Sequence, residues 1–436
     1  MNIAIIGYGE QGRSAYEYWS KPGNQITIHD KEAGLKLPEG VGQKLGPDHL
    51  KDLGQYDLIV RSPIVHPLNI AAANSPGILD KVTSVTNEFM SVSPTKNVIG
   101  VTGTKGKGTT STLIAKMLEA AGKRVHLGGN IGTPPLDLLK NDILPSDYVV
   151  LELANFQIID LNYSPHLAVC LMITTEHLDW HENMEEYVRA KSNMFNHQTP
   201  EDTAIYFASD ENSKKIVSSS KARKIPYFEK PGAYVRYDGM IVVGDEETLI
   251  AHKGEVKLLG DHNLQNICAA ITAVWQVAPL GGAIKTVISS FSGLEHRLEL
   301  VLDLNQVKYY DDSFGTTPDT AIVAMQAFDQ PKVMILGGSD KGAPFDKLAD
   351  AITKNNVRHV IAIGQTGPVI AGLLRQRGFD RITEGPSTIT EIVDTARKAA
   401  QPGDVVLLST GCASFGLFRD YKDRGEQFKK AVQSLQ

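Results

Sequence analysis

Short apolar runs recur along the chain, and each ends in glycines, hydroxyls or acids before a stretch with helical spacing begins. The first are Asn2–Ile6 (NIAII) and Ile26–Asp30 (ITIHD), with further strands expected at Leu58–Val60 and Ser84–Thr86. The next series is Val98–Val101, Arg124–Leu127, Asp147–Leu153 and His166–Ile173. A third comprises Val307–Tyr310, Lys332–Leu336, Val357–Ile363 and Asp404–Leu408. Strands alternating with helices predict parallel sheets of the α/β class. Between residues 205 and 257 the pattern changes to short β-like pieces with turns at Asp238-Gly239 and His252–Gly254. These read as antiparallel hairpins added to the edge of the central sheet.

Two connections divide the series. The segment SVSPTKN at 91–97 is polar and contains proline, and SGLEHRLELV at 292–301 has the look of a hinge. The expected domains are therefore 1–93, 94–293 and 294–436. A length of 436 residues agrees, being too long for one ordinary core.

The stretch that carries the most chemistry is VIGVTGTKGKGTTSTL at 98–113, a strand, a glycine-rich turn and a helix start. Glycines let backbone N–H groups curl around phosphate oxygens, a lysine brings charge to the outer phosphates, and the helix N-terminus adds a favourable partial charge. The candidate loop is Gly103, Thr104, Lys105, Gly106, Lys107, Gly108, Thr109 and Thr110. Gly108 stands directly after Lys107, where a Ser or Thr ordinarily binds Mg²⁺, so Thr109 is the candidate metal hydroxyl and Thr110 the reserve.

Composition narrows the function. Hydrophobic residues at 42% and charged residues at 22% describe a globular enzyme, and a net charge of -6 gives no reason to expect nucleic acid or an anionic membrane as partner. No apolar run approaches the roughly 20 residues needed to span a bilayer. Cys170, Cys268 and Cys412 are isolated, without metal-ligand spacing, and read as buried free thiols in a reducing cytosol. The opening MNIAIIGYGEQG enters a strand at once with no basic leader, so a cytoplasmic location is expected.

Other candidates sit at strand ends. GYGEQG at 7–12 with an acid about 20 residues on matches a dinucleotide fingerprint, which alone would suggest NAD and which any nucleotide diphosphate could also occupy. Glu152 closes an apolar strand, where an unpaired carboxylate is costly, so a metal or a cation is its expected partner. His177, Asp179 and His181 alternate in a way that invites zinc, yet lack a completing Cys or distant His, and His177 suits Mg²⁺ or substrate better. Lys191 lies in a helical stretch whose plain reading is a solvated face. Asn263 and Asn266, three apart at a helix start, share a face but could be caps. In the third series, DDS at 311–313, GGSDKG at 337–342 and STGCASFG at 409–416 suit a small charged ligand or ordinary turns.

The order of GYGEQG, GVTGTKGKGTT, GGNIGTP, ELANFQ, TTEHLDWH, YVRAK, LLGDHNLQN, GLEHRLE, DDSFGTTPDT, LGGSDKG and STGCASFGLFRDYKDRGEQF resembles the Mur ligases along nearly the whole chain. Within that family it looks like the branch that adds D-glutamate to UDP-N-acetylmuramoyl-L-alanine in peptidoglycan synthesis. The resemblance implies a three-domain architecture, with a Rossmann-like N-terminal domain for the UDP substrate, a central P-loop ATPase-type domain, and a Rossmann-like C-terminal domain for the amino acid. It implies ATP and Mg²⁺, a cytoplasmic monomer, and the following roles. Lys107 and the loop amides hold phosphates, and Thr109, Glu152 and His177 organise Mg²⁺. Lys191 corresponds to a carbamylated lysine that binds a second metal, which with Lys107 and His177 makes up the catalytic set. Asn263 and Asn266 would contact adenine, Arg297 a phosphate, Asp312 the ribose and Asn130 the muramoyl group. Thr316, Lys341, Ser414 and Tyr421 correspond to glutamate-binding positions. The chain departs from the family at Phe314, where a lysine is common, at Ala154-Asn155 in place of Ser-Ser, at Ser62-Pro63-Ile64 in place of SPG, and at Glu10 and Gln11.

Overall fold

The computed structural model describes all residues except 131, 259, 261, 341 and 436. The chain forms two compact units, one of residues 1–256 with 261–291 and the other of 257–260 with 292–436.

The first unit holds two parallel sheets. One comprises β1 (Asn2–Ile6), β2 (Gln25–Asp30), β3 (Gly42–Leu45), β4 (Leu58–Arg61) and β5 (Val82–Ser84), ordered β3-β2-β1-β4-β5. Ile3, Ile5, Ile28 and Val60 are fully buried, as expected for strands covered on both faces. The expected strand at Ser84–Thr86 is corrected: β5 ends at Ser84, and the helix Val85–Val92 begins there. Ser84 Oγ accepts from the Asn87 N–H at 3.1 Å, so Ser84 is both the last strand residue and the helix cap, while Val85 and Thr86 belong to the helix. The polar edge strand β3 gave no apolar signal and was not anticipated.

The second sheet comprises β6 (Val98–Thr102), β7 (Val125–Gly129), β8 (Tyr148–Glu152), β9 (Leu167–Cys170), β10 (Thr203–Phe207) and β11 (Arg223–Tyr227), ordered β11-β10-β9-β6-β8-β7. The hairpin reading of 205–257 is corrected here. β10 pairs in parallel with β9 and β11, and its Thr203, Ala204 and Ile205 are all buried, the continuous burial of a parallel strand instead of alternation. The rest of that stretch, β12 (Tyr234–Val235), β13 (Met240–Val243) and β14 (Thr248–His252), is antiparallel but forms a sheet of its own. It is tied to the helix His262–Trp275 by the Ala233 N–H donating to Thr272 Oγ1 at 2.8 Å.

Polar bolts join the two sheets into one unit. Arg61, at the end of β4 and almost wholly buried, forms a bidentate ion pair with Asp160 and donates to the Phe156 carbonyl at 3.0 Å. Asn87 Nδ2 donates to the Asp160 carbonyl, and Asn87 Oδ1 accepts from the Asn162 N–H. A buried guanidinium is tolerated only when its donors are so occupied.

The second unit is one six-stranded sheet of β15 (Glu299–Leu304), β16 (Val307–Asp311), β17 (Lys332–Gly337), β18 (Val357–Ile363), β19 (Ile382–Glu384) and β20 (Val405–Leu408), ordered β15-β16-β20-β17-β18-β19. Only β15 runs antiparallel to its neighbour. Apolar clusters cover both faces, one around Met334, Leu336 and Leu407 and the other around Ile335, Ile361 and Val406. In both units the strand carboxyl ends are where a parallel sheet offers its ligand crevice.

Candidate functional site

β6 delivers the chain into the glycine turn, and the helix Lys107–Ala120 leaves it. Gly106 adopts φ +85°, and a Cβ there would stand 2.1 Å from Asn266 Oδ1. Only glycine lets the turn press so closely on the helix His262–Trp275. Asn266 Nδ2 in turn donates to Asn263 Oδ1 at 2.9 Å, so the two asparagines act as one group beside the loop. Lys107 Nζ folds back onto the carbonyls of Gly103 (3.0 Å) and Thr104 (2.9 Å). The Thr104 hydroxyl bonds the Thr174 carbonyl and N–H and the Tyr187 hydroxyl, fastening the turn to the segment after β9. Lys105 is mostly exposed and pairs with Glu176. Gly108, Thr109 and Thr110 lie buried in the first helical turn, and the hydroxyls of Thr110 and Ser111 have no hydrogen-bond partner among the described residues.

Lys191 is fully buried on the helix Met184–Asn196, so the solvated-face reading is corrected. Its Nζ donates to the Gly103 carbonyl at 2.9 Å, lies 3.4 Å from Thr102 Oγ1 and sits over the Tyr187 ring. Burial, reinforced by the charge of Lys107, holds its pKa well below the ordinary lysine value. Glu152, paired in register with Val101, ends β8 beside the turn. Asn130 clamps it twice, through its own N–H to the Glu152 carbonyl and through Nδ2 to Oε1, both at 2.8 Å. His177 has left-handed backbone, φ 58°, and its ring packs on Phe156 with centroids 4.7 Å apart. Burial lowers its pKa, and the cations of Lys107 and Lys191 add to that, leaving a neutral imidazole fit to ligate a metal.

In the second unit the strand ends carry a separate group of polar residues. Asp312 is buried, accepting from Ser409 Oγ at 2.6 Å and from the Leu298 N–H at 3.2 Å, and burial pushes its pKa up to about 7. Arg297 lies between two left-handed residues, His296 and Leu298, and its guanidinium sits 4.3 Å from the Phe314 ring centroid. Tyr421 packs edge-on against Phe314 and accepts from Ser313 Oγ through its carbonyl. Arg424, fully buried, donates to Ser313 Oγ, the Ser313 carbonyl and the Cys412 carbonyl, joining the loops after β16 and β20. Its neighbour Gly425 leaves room for the His296–Asp311 pair: a Cβ would stand 2.2 Å from His296 Nδ1. Ser414 is buried in the loop after β20, and Thr316 is half-buried just before the helix Pro318–Gln326. Lys341 lies outside the described residues.

Comparison with known proteins decides the family. The profile of the Mur ligase middle domain matches residues 101–274, and that of the Mur ligase glutamate ligase domain matches 296–412. The chain is 36% identical to the UDP-N-acetylmuramoylalanine--D-glutamate ligase of Symbiobacterium thermophilum over 99% of its own length and 98% of the relative's. It is 33% identical to the protein of the same name from Clostridium kluyveri over 99% and 96%. The chain belongs to the Mur ligase family. Among solved structures, the MurF ligase from Thermotoga maritima in complex with ADP shares the fold, with a TM-score of 0.59 at 18% identity over 100% of this chain and 95% of that one. The α/β architecture is that of a Mur ligase, and the protein is an ATP-dependent ligase that binds nucleotide.

Several residues that build this Mur ligase site escaped the sequence reading. Arg61 was visible only as a lone charge closing an apolar strand, and Tyr187 only as the residue one helical turn before Lys191. Arg424 sits inside the quoted YKDRGEQF segment, but nothing in the sequence marked that guanidinium as buried. Cys170, Cys268 and Cys412 are free and buried, as expected. Among the described residues no helix is long and apolar enough to cross a membrane.

Proposed function

We propose that this Mur ligase joins D-glutamate to UDP-N-acetylmuramoyl-L-alanine in the cytoplasm, at the expense of ATP. The end-to-end likeness to relatives bearing that activity in their names carries the reading. The division of labour follows the three larger sheets: residues 1–93 for the UDP-linked acceptor, 94–293 for ATP and 294–436 for the amino acid.

Amide formation from a carboxylate requires a better leaving group than oxide. The acceptor carboxylate attacks the γ-phosphorus of ATP and ADP leaves. The amine of glutamate then attacks the acyl carbon of the resulting acyl phosphate, and inorganic phosphate departs with the C–O bond. The protein's part is to position and to neutralise charge. Lys107 and the amides of the 103–110 turn face the phosphates, Asn263 and Asn266 the adenine, Arg297 a phosphate and Asp312 the ribose. Asn130 would contact the muramoyl group, and Thr316, Lys341, Ser414 and Tyr421 would serve the glutamate.

The donor set suits Mg²⁺: a hydroxyl at Thr109, a carboxylate at Glu152 and a neutral imidazole at His177, with the buried hydroxyls of Thr110 and Ser111 in the same helical turn. Bound there, Mg²⁺ would offset charge on the transferring phosphoryl group. Lys191 suits carbamylation, because only a neutral amine adds to CO₂ and burial lowers the pKa of this one, favouring its neutral form. The product is a carbamate anion, releasing one proton, and it would supply oxygen ligands for a second metal.

The test is ADP release by purified protein with Mg-ATP and UDP-N-acetylmuramoyl-L-alanine across a panel of amino acids that includes both enantiomers of glutamate. Release that requires D-glutamate, with the UDP-linked product identified by mass, is the expected result. Release with another amino acid alone would move the specificity within the family.

A further inference from the structure

Outside the groups already assigned, the first unit contains a cluster of His66, His181 and Glu186, all buried, whose ligand atoms lie within 4.8 Å of one another. Two imidazoles and a carboxylate could hold zinc, but the hydrogen bonds argue otherwise. His66 Nδ1 accepts the backbone N–H of Leu68 at 3.1 Å, capping the helix Pro67–Ala73. A backbone amide cannot reverse, so in the neutral ring the proton is on Nε2, the atom that would have to ligate. That N–H faces Glu186 Oε1 at 3.4 Å. Glu186 Oε2 accepts from the Glu182 N–H at 2.9 Å and from His181 Nδ1 at 3.2 Å. His181 Nε2, left with a lone pair, accepts from Asn155 Nδ2 at 2.8 Å. The protons on His181 and Asn155 are thereby placed without a metal, while His66 Nε2 has no hydrogen-bond partner among the described residues and meets Glu186 only at ion-pair distance.

Both ends of this relay reach the proposed ligase site. The backbone N–H groups of His181 and Trp180 both donate to the carbonyl of His177, at 2.9 and 3.1 Å, so the turn that presents the His177 imidazole is closed by the backbone that also carries the His181 ring to Glu186. On the other side, Trp180 Nε1 donates to the Ile64 carbonyl at 2.9 Å and its ring packs on His66 at 4.3 Å. The first-domain turn at 62–66 is thus held at two points. Glu186 lies one residue before Tyr187, which bonds Thr104 of the phosphate turn, and on the same helix as Lys191.

We propose that Glu186 is a positioning residue that couples the first-domain turn at 62–66 to the turn bearing His177, so that acceptor binding and metal binding depend on one another through His66, Glu186 and His181. This rests on the ligase reading above.

The test compares the full-length parent with Glu186→Gln and His66→Asn. Gln preserves volume but turns an N–H toward the fixed Nε2–H of His66. Asn keeps a side-chain cap for the helix at 67–73 and cannot reach Glu186. For Glu186→Gln, the Mg²⁺ concentration for half-maximal turnover rises and kcat falls, each by about tenfold. For His66→Asn, KM for the UDP-linked acceptor and the Mg²⁺ requirement rise together by roughly fivefold, about 1 kcal/mol of binding. KM for ATP stays within twofold in both, and the double variant falls short of the product of the single effects. A purely structural role would lower the melting temperature and active fraction while leaving Mg²⁺ and acceptor constants unchanged, and that result overturns the proposal. Stoichiometric zinc in the parent, lost in His66→Asn, also overturns it. If Glu186→Gln does not fold, His66→Asn decides alone. A parent with no turnover would instead defeat the ligase reading, whereas an active parent with unaltered variants defeats only the coupling.

Discussion

The strand ends of the central sheet and those of the C-terminal sheet treat charge in opposite ways. At the central sheet, Lys107 and Lys191 are both set against the neutral carbonyl of Gly103, and the nearby His177 is held uncharged. At the C-terminal sheet a carboxyl, Asp312, is buried until its pKa reaches about 7, and Arg424 directs its donors to neutral oxygens of Ser313 and Cys412. The first arrangement brings the charge of Lys107 to the place where a polyanion is to be received, beside a Lys191 whose charged form burial disfavours. The second uses a buried cation as a rivet that fixes the shape of two loops. A cation at a strand end is therefore informative only once its acceptors are known.

The contrast can be broken most sharply at the central sheet. Lys107→Met removes charge from the phosphates, and kcat is expected to fall on the order of 10³-fold in steady-state ADP release. Lys191→Met keeps an apolar chain of similar length in a buried slot, so the protein should fold normally while kcat falls on the order of 10²-fold. With ¹³CO₂, a carbamate resonance should be present in the parent and missing from this variant.

Next in size is the rivet. Arg424→Met leaves the Ser313 carbonyl without its donor and the Cys412 carbonyl with only the Thr410 hydroxyl, and is expected to destabilise the second unit by about 3 kcal/mol, read by urea unfolding. KM for the amino acid should rise more than KM for ATP. Equal changes in both would mean that Arg424 does not shape the loops selectively.

Asp312 gives a pH signature. Its unfolded carboxyl titrates near the ordinary value of about 3.9, whereas the folded one titrates at about 7. Between those values the native state holds a proton that the unfolded chain has lost, so stability contributed at low pH is lost as pH rises toward 7. Thermal melts of the nucleotide-free protein should show this decline, and Asp312→Asn should flatten it. The smallest effect is expected at Phe314. Phe314→Ala removes a cation–π contact of about 0.5–1 kcal/mol with Arg297, raising KM for ATP a few-fold, measured at saturating acceptor.

Much of this protein was legible in its order of residues. The glycine turn after β6 announced itself because phosphate binding demands glycines, lysine and hydroxyls within a few residues, all local requirements. The strand-helix alternation followed from apolar runs of the right length. Where local signals overlapped, the reading failed: Val85 and Thr86 looked like strand because β-branched residues favour strands, and β10 looked like a hairpin arm because length alone does not reveal which neighbours a strand will find.

The tertiary structure decided what depends on burial and on partners distant in sequence. Lys191 has the sequence context of any helical lysine, and its pKa is held well below the ordinary lysine value only because the packing around Gly103, 88 residues away, and Tyr187 buries it. Arg61, Arg424 and the chain from His66 through Glu186 to Asn155 are likewise ordinary polar residues until the packing removes water from them. Residue type and spacing determine which chemistry a segment can offer. Dielectric environment and hydrogen-bond partners, which only the folded chain supplies, determine the charge state and geometry in which it is offered.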